Sequence, residues 1–471
     1  MKKVYFIGIA GVGMSAVAKL LKDKGWDVSG SDQNCYPPIS DYLDEQKIPY
    51  KTGYNKSNIP ENVDLFVLGR NAKLRPDINE EVKAVMESGI EIKSFPEILA
   101  DLSKDTENVV VVGSYAKSTC TAMIAHCLED SNKEPNYFIG AVPVGKKETS
   151  KIGKNNVFII EGDEYPADIK ENKSKFLYLK TDNILLTSAE HDHINIFPTK
   201  EDYLKPFEEL LKKVPNNGLV VACVENGNVE GLINNSKSRV VAYGLERNDK
   251  TPWYVENIKY GKTSSFDIIK NGEKIVSLET TLLGKHNLQN ILGVSVMLLE
   301  KDLITTDDLK KSIKSFGGIK RRMELKTKTS EVPVYEGFGS SYEKARSAIE
   351  AMKTHFPDKK LVVVFEPHTF SWRNKGKIHW YDDVFSGCEK VFVFAPPTQG
   401  SDTHEQSSSE EIVERIKSSG MDTRDVSNEN IEEKLKDYLE LNHSVLLLSS
   451  GDFGGMIDPI ANLVEDLFKT R

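Results

Sequence analysis

The sequence predicts an α/β protein of three domains, each built on a parallel sheet with helices packed over it. Three observations predict it. Short apolar runs alternate with amphipathic stretches along almost the whole chain, which is the pattern of repeated strand–helix–strand units with right-handed crossovers. The pattern restarts twice, after the polar stretch Ser103-Lys104-Asp105-Thr106-Glu107-Asn108 and again after Arg322. The chain has 471 residues, and at roughly 100–200 residues per domain that length calls for about three cores. The expected domains are 1–104, 105–318 and 319–471.

In the first segment Lys3 to Ile9 reads as a strand, followed by a glycine turn, a helix through Lys22 and a strand from Asp27 to Ser31. Leu65–Leu68 and Ile90–Ile92 continue the strands, with a helix at Asn79–Glu87 between them. The second segment opens on the all-valine strand Val109–Val112, turns at Gly113 and enters a helix near Thr119. Strands follow at Val157–Ile160, Ile184–Leu186 and Leu219–Val224, with a helix at Asp202–Lys212. From Val240 to Leu283 the segments shorten, and Phe266–Ile269 runs into Asn271-Gly272, a two-residue hairpin signal, so an antiparallel flap is expected there. Helices return at Asn287–Leu299 and Asp307–Ser315. The third segment alternates the strands Val332–Tyr335, Leu361–Phe365, Val391–Phe394 and Ser444–Leu448 with helices, the last at Ile457–Phe468.

Charge and cysteine usage narrow the function. With 62 Lys and Arg against 71 Asp and Glu, the formal charge is −9. An acidic total with both signs interspersed argues against nonspecific nucleic-acid or membrane-surface binding and leaves room for a local pocket for a small anion. The five cysteines, Cys35, Cys120, Cys127, Cys223 and Cys388, form no C-x-x-C pair, so neither a zinc site nor a disulfide framework is expected. The apolar start Val4–Ile9 breaks at glycines and no run reaches bilayer length, which points to a reducing cytoplasm.

Two glycine turns carry the chemistry. Val109–Val112 runs through Gly113-Ser114-Tyr115-Ala116 into Lys117-Ser118-Thr119 at a helix start. Amides at a helix N-terminus attract phosphate, a lysine neutralises its charge and an adjacent hydroxyl can hold Mg²⁺, so a nucleoside-triphosphate site is expected. An ordinary capped turn has the same Ser and Thr. Ala116 stands where such loops usually have glycine, and its Cβ opposes a positive φ. The second turn, Gly8-Ile9-Ala10-Gly11-Val12-Gly13-Met14, is followed about 20 residues later by Ser31-Asp32, as a pyrophosphate cradle with a ribose partner would be. Ala10 breaks the strict dinucleotide spacing, and close helix–strand packing would use the same glycines.

Carboxylates and imidazoles follow two strands of the second segment, Glu161-Gly162-Asp163-Glu164 and Glu190-His191-Asp192-His193. At strand carboxyl ends beside a phosphate loop they suit Mg²⁺–nucleotide chemistry, whereas on a loop they are ordinary solvated charge. Gly284-Lys285-His286-Asn287 opens a helix, and Gly317-Gly318-Ile319-Lys320-Arg321-Arg322 sits at the second boundary, where an arginine on a hinge can swing toward phosphate.

The order of these motifs resembles the Mur ligases, ATP-dependent amide-forming enzymes of peptidoglycan synthesis, over essentially the whole chain. Gly30-Ser31-Asp32-x-Asn34-x-Tyr36-Pro37-Pro38, Gly162-Asp163-Glu164-Tyr165, Lys173-Ser174-Lys175-Phe176, Asp192-His193-x-Asn195 and Gly451-Asp452-Phe453-Gly454-Gly455 are most similar to the murein peptide ligase branch. That branch joins L-Ala-γ-D-Glu-meso-diaminopimelate to UDP-N-acetylmuramate through an acyl phosphate, in recycling. Glu366-Pro367-His368-Thr369-Phe370-Ser371 is similar instead to the branch that adds L-alanine, the alternative reading. A further alternative is a degenerate UDP-sugar-binding homologue with a weakened ATP site.

The resemblance implies Rossmann-like first and third domains around a P-loop ATPase-type centre, with ATP and Mg²⁺ as cofactors. It implies a UDP-sugar site at Gly11, Val12, Gly13, Met14, Ser31, Asp32, Arg70 and Asn71. ATP would lie on Gly113, Ser114, Tyr115, Ala116, Lys117, Ser118 and Thr119, with Asn287 and Arg322. Ser118, Glu161 and His193 would be metal ligands, and Lys117, Glu161, His193 and Arg322 the catalytic set. The third domain would take the peptide or amino acid. Partners would be UDP-N-acetylmuramate and that amine, with no nucleic acid and no membrane insertion. Besides Ala116, the chain departs from the family pattern at Ser188, usually Asn, and at Ser340-Ser341, usually a His pair.

Overall fold

The computed structural model describes residues 1–36, 39–71, 73–166, 173–193, 196–225, 227–397, 405–427 and 429–470; Pro37, Pro38 and Asn195 of the motifs above lie outside them. The architecture is mixed α/β with three sheets, as expected. By contacts the chain forms two compact units. The first holds residues 1–257, 266–278 and 289–316, and the second holds 258–265, 279–288 and 317–471.

The first unit contains the first sheet, ordered Tyr50–Thr52, Asp27–Asp32, Lys3–Ile7, Leu65–Leu68, Ile92–Lys93 and parallel throughout. Leu65–Leu68 is buried at every position, the reason its sequence shows no polar alternation: helices cover both faces of a parallel sheet. The helix Val12–Asp23 packs Met14, Val17, Leu20 and Leu21 into the core at helical spacing. The chain reverses direction across the sheet at Lys3–Ile7, so the Gly8–Gly13 turn stands at a topological switch point, where open parallel sheets bind ligands.

In the second sheet Glu107–Val112 is flanked by Asn183–Leu186 on one side and Val157–Glu161 on the other, both parallel to it. The valines Val109–Val112 are 0–1% exposed. Parallel neighbours in register bring their carboxyl ends to one edge, so residues after Val112, Glu161 and Leu186 meet there. The expected antiparallel flap begins later than Val240. Arg239–Tyr243 pairs parallel with Leu219–Cys223 and extends the sheet, and the flap is confined to Trp253–Lys259, Ser264–Lys270 and Glu273–Thr280. Its hairpin turns on Asn271 and Gly272, both at positive φ (52° and 88°), the geometry that an Asn-Gly turn supplies at little cost. Ser150 of this part donates from Oγ to the Ala16 carbonyl (2.8 Å), one of the contacts that join the first two sheets in one unit.

The second unit carries the third sheet, ordered Arg322–Leu325, Val334–Gly337, His443–Leu448, Lys360–Phe365, Lys390–Val393, Thr423–Asp425. All neighbours are parallel except the edge strand Arg322–Leu325, whose register shifts between Arg322 and Glu324.

Candidate active site

The first glycine turn is shaped by a carboxylate on the adjacent strand. Gly8 takes φ 88°, and Gly8 and Ile9 both donate N–H to the Ser31 carbonyl (2.8 and 3.0 Å). Asp32 Oδ2 accepts from the Ala10 N–H (2.8 Å), while Oδ1 accepts from Gln33 N–H (2.7 Å) and the Tyr54 hydroxyl (3.2 Å). Asp32 thus sets the turn that presents the N-terminus of the Val12–Asp23 helix. Gly11, at the N-cap, has no capping side chain, which leaves those amides to a ligand. Ser31 is fully buried and hydrogen-bonded to Glu81, so the structure places it beneath the turn and not on its open side.

The second turn is shaped by hydroxyls. Thr187 donates from Oγ1 to the Tyr115 carbonyl (2.6 Å), and Ser188 Oγ accepts from the Tyr115 N–H (3.0 Å). Gly113 lies at φ 143°, where a Cβ would overlap Thr187. Ala116 does adopt a positive φ (66°, ψ −2°) as the N-cap of the Lys117–Asp130 helix. Lys117 Nζ donates to the Gly113 carbonyl (2.6 Å) and to Glu164 Oε2 (2.7 Å). Glu164 is completely buried and also faces Tyr203 Oη (3.5 Å) and His193 Nε2 (3.4 Å). That hydrogen bond to Glu164 holds the His193 imidazole above its ordinary pKa, against the effect of burial.

Ser118 Oγ donates to Glu161 Oε1 (2.9 Å), and the Gly140 N–H donates to Glu161 Oε2 (2.6 Å). The strand ends therefore bring Lys117, Ser118, Glu161, Glu164 and His193 together, with His193 turned to Glu164. Glu164 is the residue that sequence reasoning left without a role. Its only signal was its place in an acidic run after a strand, because burial is what makes it the common acceptor. Asn287 and Arg322 belong to the second unit. Asn287 is buried and donates from Nδ2 to the Leu283 carbonyl (2.7 Å), fixing its own turn, while Arg322 is exposed at the start of its strand. Its neighbour Arg321, at φ 65°, is held by Glu336 (3.0 Å) and by the Gly451 carbonyl.

Within the first unit a cavity of about 700 Å³ runs from Gly11–Met14, Arg70 and Asn71 to Glu161, Asp163 and Lys175. It connects the helix N-terminus of the first turn to the carboxylate beside the second. Burial pushes the Asp163 carboxyl up, but the charges of Lys175 and Lys117 outweigh it and hold it below the usual range.

Residues 3–107 match the Mur ligase family, catalytic domain, and residues 111–298 the Mur ligase middle domain. The UDP-N-acetylmuramate–L-alanine ligase of Aquifex aeolicus is 30% identical over 375 residues, 79% of each chain. The chain belongs to the Mur ligase family. The fold of this Mur ligase is shared with a UDP-N-acetylmuramate–alanine ligase from Thermotoga maritima (TM-score 0.77, 23% identity, 99% of this chain and 100% of that one). It is also similar to the UDP-N-acetylmuramate:L-alanyl-γ-D-glutamyl-meso-diaminopimelate ligase from Neisseria meningitides (TM-score 0.62, 26% identity, 68% of this chain and 100% of that one). This Mur ligase is an ATP-dependent acid–amino-acid ligase of peptidoglycan synthesis. Among its described residues no helix is long and apolar enough to cross a membrane.

Mur ligases use ATP and Mg²⁺, and the residues here fit the cation. A hydroxyl and a carboxylate in contact are hard oxygen donors, and among the described residues no three His, Cys, Asp or Glu side chains form a complete cage. Magnesium commonly takes one or two protein oxygens and completes its shell with phosphate and water.

Proposed function

We propose that this Mur ligase joins L-alanine to UDP-N-acetylmuramate through an acyl phosphate. The observation that carries the ligase chemistry is the Ser118–Glu161 pair, with Ser118 next in sequence to Lys117 and Glu161 at one end of the cavity whose other end is the Gly11–Met14 helix start. The 30% identical relative from Aquifex aeolicus supports L-alanine as the amine, as does Glu366-Pro367-His368-Thr369. Residues 1–104 would hold the nucleotide sugar, 105–318 ATP and 319–471 the amine. The reaction uses ATP, and the compartment it fits is the cytoplasm.

A carboxylate and an amine do not condense in water. The sugar's carboxylate first attacks the γ-phosphate of ATP and ADP leaves; the neutral amine then attacks the acyl carbon, loses a proton, and inorganic phosphate leaves. Both steps bring anions together, so the chain's task is charge stabilisation and exclusion of water. Lys117 exchanges Glu164 for phosphate oxygens, and the helix amides after Ala116 bind the phosphates. Ser118 and Glu161 would hold Mg²⁺, which when bound neutralises phosphate charge. His193, paired with Glu164, would take a second ion only as the neutral imidazole.

A second reading, transfer of the tripeptide, is favoured by Lys173–Phe176 and Gly451–Gly455 and by the 26% identity to the Neisseria enzyme. Those motifs favour the tripeptide, whereas the Aquifex relative favours L-alanine. ADP release measured with UDP-N-acetylmuramate and L-alanine, di-, tri- or tetrapeptide decides. Turnover with L-alanine is expected, turnover with tripeptide alone replaces L-alanine by the second reading, and no turnover with any amine leaves a UDP-sugar binder.

A further inference from the structure

The cavity has a cation in its wall that the chemistry above does not use. Lys175 opens a short 3-10 turn after the Ser174 bridge, and its Nζ donates to Asp163 Oδ2 (2.5 Å). The ammonium also sits over two rings, Phe95 at 5.6 Å and Tyr165 at 5.7 Å. Phe95 begins the helix Phe95–Ser103 of the first sheet's region, and Tyr165 follows the Glu161–Glu164 run, so Lys175 is gripped from both sides of the cavity. Asp163 is oriented in turn by the Tyr165 N–H, which it accepts through Oδ1 (3.2 Å). An ammonium has three donors and Asp163 occupies one of them.

Among the described residues the cavity lining carries two cations, Arg70 and Lys175. Arg70 follows Gly69, the residue after the Leu65–Leu68 strand, whose backbone packs beside the Gly8 turn where helix amides suit a diphosphate. Lys175 instead lies on the wall with Asp163, two residues from Glu161 of the Ser118–Glu161 pair. The acid substrate has two separated anionic groups, its diphosphate and the carboxylate that must reach phosphate chemistry. A carboxylate approaching phosphate in a partly desolvated cavity needs a fixed positive charge beside it, and a lysine held by one carboxylate and two ring faces is such a charge.

We infer that Lys175 is a specificity-determining residue that binds the sugar-borne carboxylate, with Asp163, Phe95 and Tyr165 setting its position. The inference rests on the proposed acid substrate. On this assignment the enzyme distinguishes UDP-N-acetylmuramate from UDP-N-acetylglucosamine, which has the same nucleotide and diphosphate but lacks the carboxylate-bearing ether, largely through Lys175.

The test is calorimetric titration of both nucleotide sugars into the full-length wild type, Lys175→Met and Lys175→Arg, without ATP. Wild type is expected to prefer UDP-N-acetylmuramate by about tenfold or more. Lys175→Met should lose that preference by weakening only the carboxylate ligand, and Lys175→Arg should restore part of it. An equal loss for both ligands, or no loss, overturns the assignment. If wild type binds neither sugar, the proposed function itself fails, a result distinct from either. Circular dichroism and melting of each variant separate misfolding from lost recognition, and Lys175→Arg keeps the test decisive if Lys175→Met does not fold.

Discussion

The molecule contains two strand–turn–helix units that both present backbone amides at a helix N-terminus, and they are stabilised by opposite means. The Gly8–Gly13 turn has no cation of its own and is drawn into shape by the Asp32 carboxylate through Ala10. The Gly113–Ala116 turn is shaped by the neutral hydroxyls of Thr187 and Ser188 and carries Lys117, neutralised from beneath by buried Glu164. On the proposed function, the difference follows the charge that each turn would meet. A triphosphate with a reacting terminus needs a mobile full charge, stored against a carboxylate until needed, whereas helix amides and a rigid turn suit a diphosphate that only has to be held.

The sharpest way to break this contrast is at the stored charge. Lys117→Met should lower ATP-dependent phosphate release by about 10²–10³-fold or more. It should also destabilise the fold by about 3 kcal/mol, because buried Glu164 loses its lysine and keeps only the longer contacts to Tyr203 and His193. Lys117→Met with Glu164→Gln should recover most of the stability, read by denaturant titration, while remaining inactive. Recovery of turnover in the double variant would show that Lys117 serves only the fold.

The matching change in the first turn is Asp32→Ala, which strands the Ala10 amide and frees Tyr54. A loss of about 1–3 kcal/mol in stability is expected, with UDP-sugar affinity weakened and ADP affinity unchanged in titration calorimetry. Equal weakening of both ligands would mean that the two turns are not independent.

Ala116→Gly is a smaller perturbation. A left-handed alanine costs about 1–2 kcal/mol, and glycine gives back about 0.4–1 kcal/mol through the flexibility of the unfolded chain, so a net gain of about 0.5 kcal/mol should appear on melting. Nucleotide affinity should change by less than about threefold, since the turn already holds its positive φ with a Cβ present; a tenfold gain would show that the methyl group itself blocks phosphate.

The smallest effect tests a carboxylate clasp in the second unit. Glu465 accepts N–H bonds from Lys328, Thr329 and Ser330. Burial pushes its pKa up, but the Thr329 hydroxyl and these amides bring it down to about 2. A carboxylate lowered on folding contributes stability above its unfolded pKa and loses it as pH falls, so the contribution should fade from about pH 4.5 toward pH 2. Glu465→Gln should flatten that limb of a pH–stability curve and leave ATP binding untouched at neutral pH.

Much of the fold was legible because parallel strands buried on both faces leave uninterrupted apolar runs. Leu65–Leu68 lies where its sequence placed it, and Asn79 caps the helix that it was expected to open. Arg239–Tyr243 continues the parallel sheet although the flap is expected from Val240, because a short, mostly half-buried apolar run reads the same in either strand direction. In the candidate site, local order along the chain marked Lys117, Ser118 and Glu161, whose residue types and spacing carry chemistry by themselves. It could not separate Ser31, sealed under its turn, from Asp32, which shapes that turn, since adjacent strand residues point to opposite faces only once the sheet is formed.

By itself, then, the amino-acid order determined where strands stop and the helices after the glycine turns start, because glycine, lysine and hydroxyl residues act on their immediate neighbours. Tertiary structure alone decided the partners. Lys117 meets Glu164 from 47 positions away, and Lys175 meets Phe95 across the cavity. Such pairings depend on which strands lie side by side, and burial then turns an ordinary acidic residue into a fixed counter-charge.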